Sequence, residues 1–249
     1  MATEPNATPQ HPGIAESRLV AIQVAIRTHR HRTMAVLIGT FLVLLGLHLY
    51  QLHVFLDDGP HYRSIDFNKE HNWPTAFATL NLGFAAYLLI YIGQARFTVA
   101  RRAQWYTLGG IFVFLACDEY GVIHDGLTGR LHALAQYSDF LHHAWVVPYA
   151  VLLFVFAVGF TKFFFSLPLR FRLLFGISGA VFVTGALGIE MLGAPLAKNF
   201  GGDDPRYLKY STLEETLEFA GILLFTYSLL AYIEDRRIAF AAEQDATAA

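Results

Sequence analysis

The sequence is short of nearly everything a water-soluble protein needs at its surface. Charged residues make up only 15% of the 249 positions, against about 25% in ordinary soluble domains. The single cysteine, Cys117, excludes an internal disulfide, and the lack of any C-x-x-C pair excludes a thiolate zinc site or a dithiol redox centre of that kind. Eighteen Lys and Arg face twenty Asp and Glu. The basic residues sit in short clusters between apolar runs, not on one long face, which excludes nucleic acid as the main partner. Internal repeats and low-complexity tracts are missing, and no polar stretch is long enough for a second soluble domain.

What is present is apolar: 55% of the residues are hydrophobic and the mean hydropathy is +0.41. Runs able to cross about 30 Å of hydrocarbon lie at 34–56, 75–97, 103–123, 143–166, 171–193 and 212–233. The pattern predicts an all-α polytopic membrane bundle of about six transmembrane helices over 34–233. A Pro- and polar-rich segment at 1–13 reads as a disordered tail, residues 14–33 as a basic amphipathic interfacial segment, and 234–249 as a polar C-terminal tail.

Six crossings place both termini on one side. Arg27 to Arg32, Arg96 with Arg101 and Arg102, Lys162 with Arg170 and Arg172, and Arg236 with Arg237 all fall on that side, so the termini are expected to be cytoplasmic. The opposite loops, DDGPHYRSIDFNKEHNW, the stretch from His124 to Leu141, and APLAKNFGGDDPRYLKY, face outward.

Ionisable residues collect toward the outer ends of four spans: Asp118, Glu119, His124 and Asp125 on the third, His142 and His143 on the fourth, Glu190 on the fifth, and Glu214, Glu215 and Glu218 on the sixth. Each charge at membrane depth costs about 2.5–3.5 kcal/mol on insertion scales, so such a layer is expected to converge inside the bundle. The third and fifth spans run outward, which sets Asp118, Glu119, Asp125 and Glu190 near helix C-termini whose dipole repels carboxylates. A metal cation, neighbouring imidazoles or bound protons must compensate.

Plainer roles compete for some of these residues. Thr212 with Glu215, or Ser211 with Glu214, fits a capping box. Ser138 and Asp139 fit an N-cap for the fourth span, and Asp125 fits a helix end before Gly126. On a straight helix Asp118 and Asp125 share a face that excludes His124, so a site uniting them needs a bend at Gly121 or Gly126. His48 and His53 read as packing or interfacial residues, Trp73, Trp105 and Trp145 as interface anchors, and Cys117 as a small buried hydrophobe.

The block CDEYGVIHDG, the late acid of the fifth span and TLEETLEFAG opening the sixth resemble a pattern in bacterial multi-pass membrane proteins of no assigned activity, which carry a D-E-x4-H-[D/E] block. That resemblance implies an inner-membrane location and no reaction. The Asp118-Glu119 pair is also similar to one in membrane hydrolases related to alkaline ceramidases, which implies zinc-activated water acting on a lipid amide. The chain lacks the HxxxH of their last helix.

These residues point first to a metal-dependent membrane enzyme, a hydrolase or oxidase acting on a lipid or other amphiphile. A divalent ion (Zn, Fe or Mn) would be held by members of the set Asp118, His124, His142, His143, Glu190 and Glu215, with Glu119 or Glu218 as general base. The same acids and histidines also suit a proton- or cation-coupled transporter or channel, or a non-catalytic assembly subunit with a polar interface. Membrane lipids are the expected surroundings in every case.

Overall fold

A computed structural model describes residues 14–95, 101–134 and 138–248. The tail expected at 1–13, Arg96, and the side chains of 14–26 that would define an amphipathic face lie outside the described residues. The chain folds as an all-α bundle: α1 (Ile14–Leu56), α2 (Trp73–Gln94), α3 (Arg102–Gly121), α4 (Ile123–Leu134), α5 (Val146–Ser166), α6 (Leu169–Val183), α7 (Glu190–Phe200) and α8 (Pro205–Ala248). A π-helical turn, Thr184–Ile189, joins α6 to α7. Among the described residues five stretches are long and apolar enough to cross a membrane, six if the bent pair α3–α4 counts as one span. The protein is an integral membrane protein.

The spans begin and end close to where hydropathy puts them, and the differences are informative. α1 runs unbroken from Ile14, with no junction between an interfacial segment and the first span, and α8 continues as helix through the polar C-terminal residues. Both long helices end at the same face of the bundle, where Arg27 and Arg30 pair with the buried Glu234. Arg101 donates to the Lys162 carbonyl nearby. The basic clusters therefore share one end, hereafter the basic end.

Two aromatic-rich clusters fill the interior. One, toward the basic end, packs Trp105 and Phe171 around Tyr232; the other sets Phe41, Phe67 and Phe77 around Phe219. Trp105 is thus a core residue and not an interface anchor, and Trp145 is buried too, whereas Trp73 stands exposed at the start of α2. Cys117 is exposed, contrary to the buried position expected for it.

Glycine decides how closely α6 and α8 approach. A Cβ at Gly221 would fall 2.7 Å from the backbone nitrogen of Phe182, and one at Gly185 would fall 2.8 Å from the Glu214 carbonyl oxygen. Gly221→Ala is expected to cost about 1–3 kcal/mol through forced separation of the helices, whereas Gly179→Ala, which meets nothing within 4 Å, is expected to be near neutral. Thermal unfolding of the two variants in mild detergent checks the contrast.

Candidate functional site

At the end opposite the basic clusters the spans enclose a cavity of about 180 Å³. Eight acids line it (Glu70, Asp118, Glu119, Asp125, Glu190, Glu214, Glu215 and Glu218) together with His124 and His143, and no Lys or Arg is among its lining residues. Three cations at this end are engaged with acids outside the cavity: Lys69 with Asp203 at 2.9 Å, Lys198 with Asp139 at 2.6 Å and Arg206 with Asp204 at 2.9 Å.

The break between α3 and α4 makes the first half of the site. The chain turns by 75° here, with Val122 in the left-handed region at φ 51°, an uncommon conformation for a β-branched residue. The expected bend is therefore real and sits just after Gly121. It restarts the helix at Ile123, which leaves new backbone N–H groups to satisfy. Asp118 supplies the acceptor: its Oδ1 takes the His124 backbone N–H at 2.9 Å and lies 3.3 Å from the His124 Nδ1. Its Oδ2 accepts the Tyr149 hydroxyl at 2.8 Å. One carboxylate thus ties α3, α4 and α5 together. The C-terminal dipole of α3 disfavours it, but the N-terminus of α4 and two further donors compensate. Asp125 falls in the first turn of α4 and does not end a helix.

The second half is built on the π turn. Glu190 follows it, in the middle of a helical run from Leu169 to Phe200, so it is not at a span's C-terminal end as expected. π turns arise where one extra residue is accommodated inside a helix, frequently at functional sites. Glu190 lies 2.9 Å from the Nδ1 of His143, and the His143 Nε2 is buried without a hydrogen-bond partner. Burial alone would lower the His143 pKa, but the hydrogen bond and charge of Glu190 outweigh it and raise it above the ordinary imidazole value. Glu190 and Glu214 both line the same cavity, so two carboxyl groups from different helices share its polar wall.

α8 supplies Glu214, Glu215 and Glu218 from its interior. The helix starts at Pro205, with the Asp204 carboxylate accepting the Arg206 N–H at 2.9 Å. The capping roles entertained for Ser211, Thr212, Glu214 and Glu215 are overturned, because all four lie more than a turn inside the helix. Thr212 instead donates to the Leu208 carbonyl and meets the His48 Nε2 at 2.9 Å. Ser138 likewise precedes only a short 3-10 turn, Asp139–Leu141, with no side-chain cap bond, and α5 begins later.

A structured loop closes the cavity from the side. Asp66, buried, takes His61 at 2.6 Å, while the Phe67 N–H donates to the His48 Nδ1 at 3.0 Å and the Phe67 ring stacks on His48. His48 is a packing residue, as expected, and His53 is exposed. This network seats Phe67, Asn68 and Glu70 against the cavity. Glu70 accepts the Thr75 hydroxyl at 3.2 Å, and burial raises its carboxyl pKa above the ordinary glutamate range. Sequence reasoning missed Glu70, Tyr149 and Tyr207, which also line the cavity; the signal available was the density of polar residues just before Pro74.

Of the eight residues singled out beforehand, seven (Asp118, Glu119, His124, His143, Glu190, Glu215 and Glu218) line this cavity. His142 does not. Its ring packs near those of His132 and His143, its carbonyl accepts the His132 Nε2 at 2.7 Å, and burial, followed by the electrostatic influence of His143, His132 and Lys198, lowers its pKa. Among the described residues, no three His, Cys, Asp or Glu side chains form a group that could hold a metal ion as they are oriented. The donors stand as carboxylate–imidazole pairs around shared space.

The family model "Domain of unknown function (DUF8692)" matches residues 35–232, and the chain belongs to that family. The matched stretch takes in every residue of the cavity and stops short of the Arg27, Arg30 and Glu234 cluster. No curated protein and no solved structure matches the chain.

Proposed function

We propose that this member of the DUF8692 family is a metal-dependent membrane enzyme, acting on an amphiphile from a cavity that opens at the outer face. The observation that carries the reading is the pairing of both cavity histidines. Each imidazole has its Nδ1 beside a buried acid, Asp118 for His124 and Glu190 for His143. A carboxylate at one ring nitrogen fixes the tautomer and raises the basicity of the other, the arrangement that orients metal-ligating histidines. The unpartnered Nε2 of His143 is the consequence expected of such a ligand before a metal binds.

In this reading His124 and His143 are ligands, with Glu119 or Glu215 completing the set by side-chain rotation. Asp118 and Glu190 change role, from candidate ligands to the groups that orient the imidazoles. A bound divalent ion would supply a polarised water or a Lewis acid. Glu218, on the cavity wall, would take a proton from the nucleophile, and the aromatic side chains of Trp145, Tyr149 and Tyr207 would limit the entry of water. The clustered Arg and Lys at the far end support a cytoplasmic assignment for that end and for both termini.

Metal analysis of protein purified in mild detergent after growth with Zn, Fe and Mn tests this. About one equivalent of transition metal is expected, falling at least about tenfold in His124→Ala and His143→Ala. Metal-free protein under replete conditions would overturn the reading.

A transporter is the second reading, favoured by one observation. Inward of the acids, Asn81 Oδ1 and Thr226 Oγ1 are buried without partners, polar steps that an ion path would use. Cation flux into proteoliposomes, abolished by Glu218→Gln, would put this reading first.

A further inference from the structure

A second cavity, about 360 Å³, lies between α3, α5, α6 and α8 and has no role in the site described above. It falls within the size range of small-molecule pockets, about 300–1,000 Å³. Its walls are almost wholly apolar, and the two hydroxyls on them are spent on their own helices: Thr161 donates to the Ala157 carbonyl at 2.7 Å and Ser178 to that of Phe175 at 3.0 Å. Nothing there offers water the two to four partners it requires. α5, which forms one wall, is the least buried of the five unbroken stretches long enough to cross a membrane.

The two cavities are lined from successive turns of the same helices. On α3 Leu115 lines the acidic cavity and Phe112 the apolar one; on α6 Phe182 lines the first and Gly179 the second; on α8 Glu218 and Gly221 divide in the same way. Each pair is three residues apart, about 4.5 Å along a helix. An occupant filling both would have one greasy end and one polar end. Eight acids against two histidines, with no Lys or Arg in the lining, favour a cationic head over a phosphate.

We propose that the apolar cavity seats the alkyl chain of a single-chain amphiphile whose ammonium head lies among the α8 glutamates. This names the substrate class and rests on the reading of the acidic cavity as a metal-enzyme site. The chain enters sideways from the bilayer past α5, and Phe182 with Leu115 marks the level at which alkyl gives way to head.

Photolabelling of the full-length protein in phosphatidylcholine vesicles tests it, using dodecylamine with a diazirine at mid-chain and dodecyl phosphate with the same group. The amine is expected to label the walls of the cavity on α5 and α6 at least about tenfold more than the phosphate does. Excess unlabelled dodecylamine should remove that labelling from the unmodified protein. Gly179→Leu, whose side chain grows into open space, should remove it too, while Gly39→Leu on α1 leaves it intact. Equal labelling by both probes, or labelling spread over all lipid-facing helices and insensitive to competitor, overturns the proposal. Metal content measured on the same samples separates the two readings: metal without amine labelling sinks only the substrate assignment, and amine labelling without metal sinks only the enzyme.

Discussion

Asp118→Ala is expected to destabilise the protein by about 3–5 kcal/mol, the usual cost of removing one member of a buried ionic contact. The carboxylate satisfies the His124 N–H, the Tyr149 hydroxyl and the His124 ring at once, and alanine leaves all three without their partner in a buried setting. It also releases the N-terminus of α4 at a backbone already held in a left-handed turn. Asp118→Asn separates the two duties. A carboxamide oxygen still accepts from the His124 N–H or the tyrosine, so most of the stability should return. It carries no charge to hold the imidazole, so metal affinity should remain about 10–100-fold down. Thermal unfolding and metal titration of both variants check this. Full metal affinity in Asp118→Asn would reduce Asp118 to a helix cap.

That dual role shows what a linear reading captures. Burial against lipid leaves long apolar runs, so the spans, the shared end of the basic clusters and the convergence of the acids could all be read from hydropathy and the cost of isolated charge. The bend after Gly121 was legible as a requirement, because His124 and Asp118 cannot meet on a straight helix. What it does to Asp118 was not, since the helix that Asp118 caps exists only once the chain has turned. Glu190 was misplaced for a related reason: a π turn leaves no mark in residue type, and the run was read as ending near Gly193. Glu214 and Glu215 were given capping alternatives because hydropathy starts the last span at Thr212, whereas Asp204 and Pro205 start the helix earlier. Glu70 and Trp145 are tertiary matters. A loop glutamate becomes part of a membrane site only through the His48, Asp66 and Phe67 contacts that fold its loop inward, and Trp145 is drawn from the interface by His124 and Tyr149.

Neutralising two of the α8 acids together, Glu215→Gln with Glu218→Gln, is expected to make the metal-free protein more stable while abolishing metal binding. Both side chains line a cavity shared with six other acids and no Lys or Arg, and like charges in a medium of low dielectric repel far more strongly than in water. Removing two of them keeps the shape and the hydrogen-bonding capacity of the side chains. A gain of about 1–2 kcal/mol is typical when a site selected for function is relieved in this way, which for a chain of this length raises Tm by about 2–4 °C per kcal/mol. The sign should reverse when metal is present, because the unmodified protein gains binding energy in its folded state and the variant does not. Unfolding of both proteins with chelator and with saturating Zn or Mn checks the crossing of the two curves. Were these glutamates retained for packing or hydrogen bonding alone, the variant would be less stable under both conditions. The crossing therefore distinguishes a site that stores repulsion for a cation from a polar seam that only holds helices together.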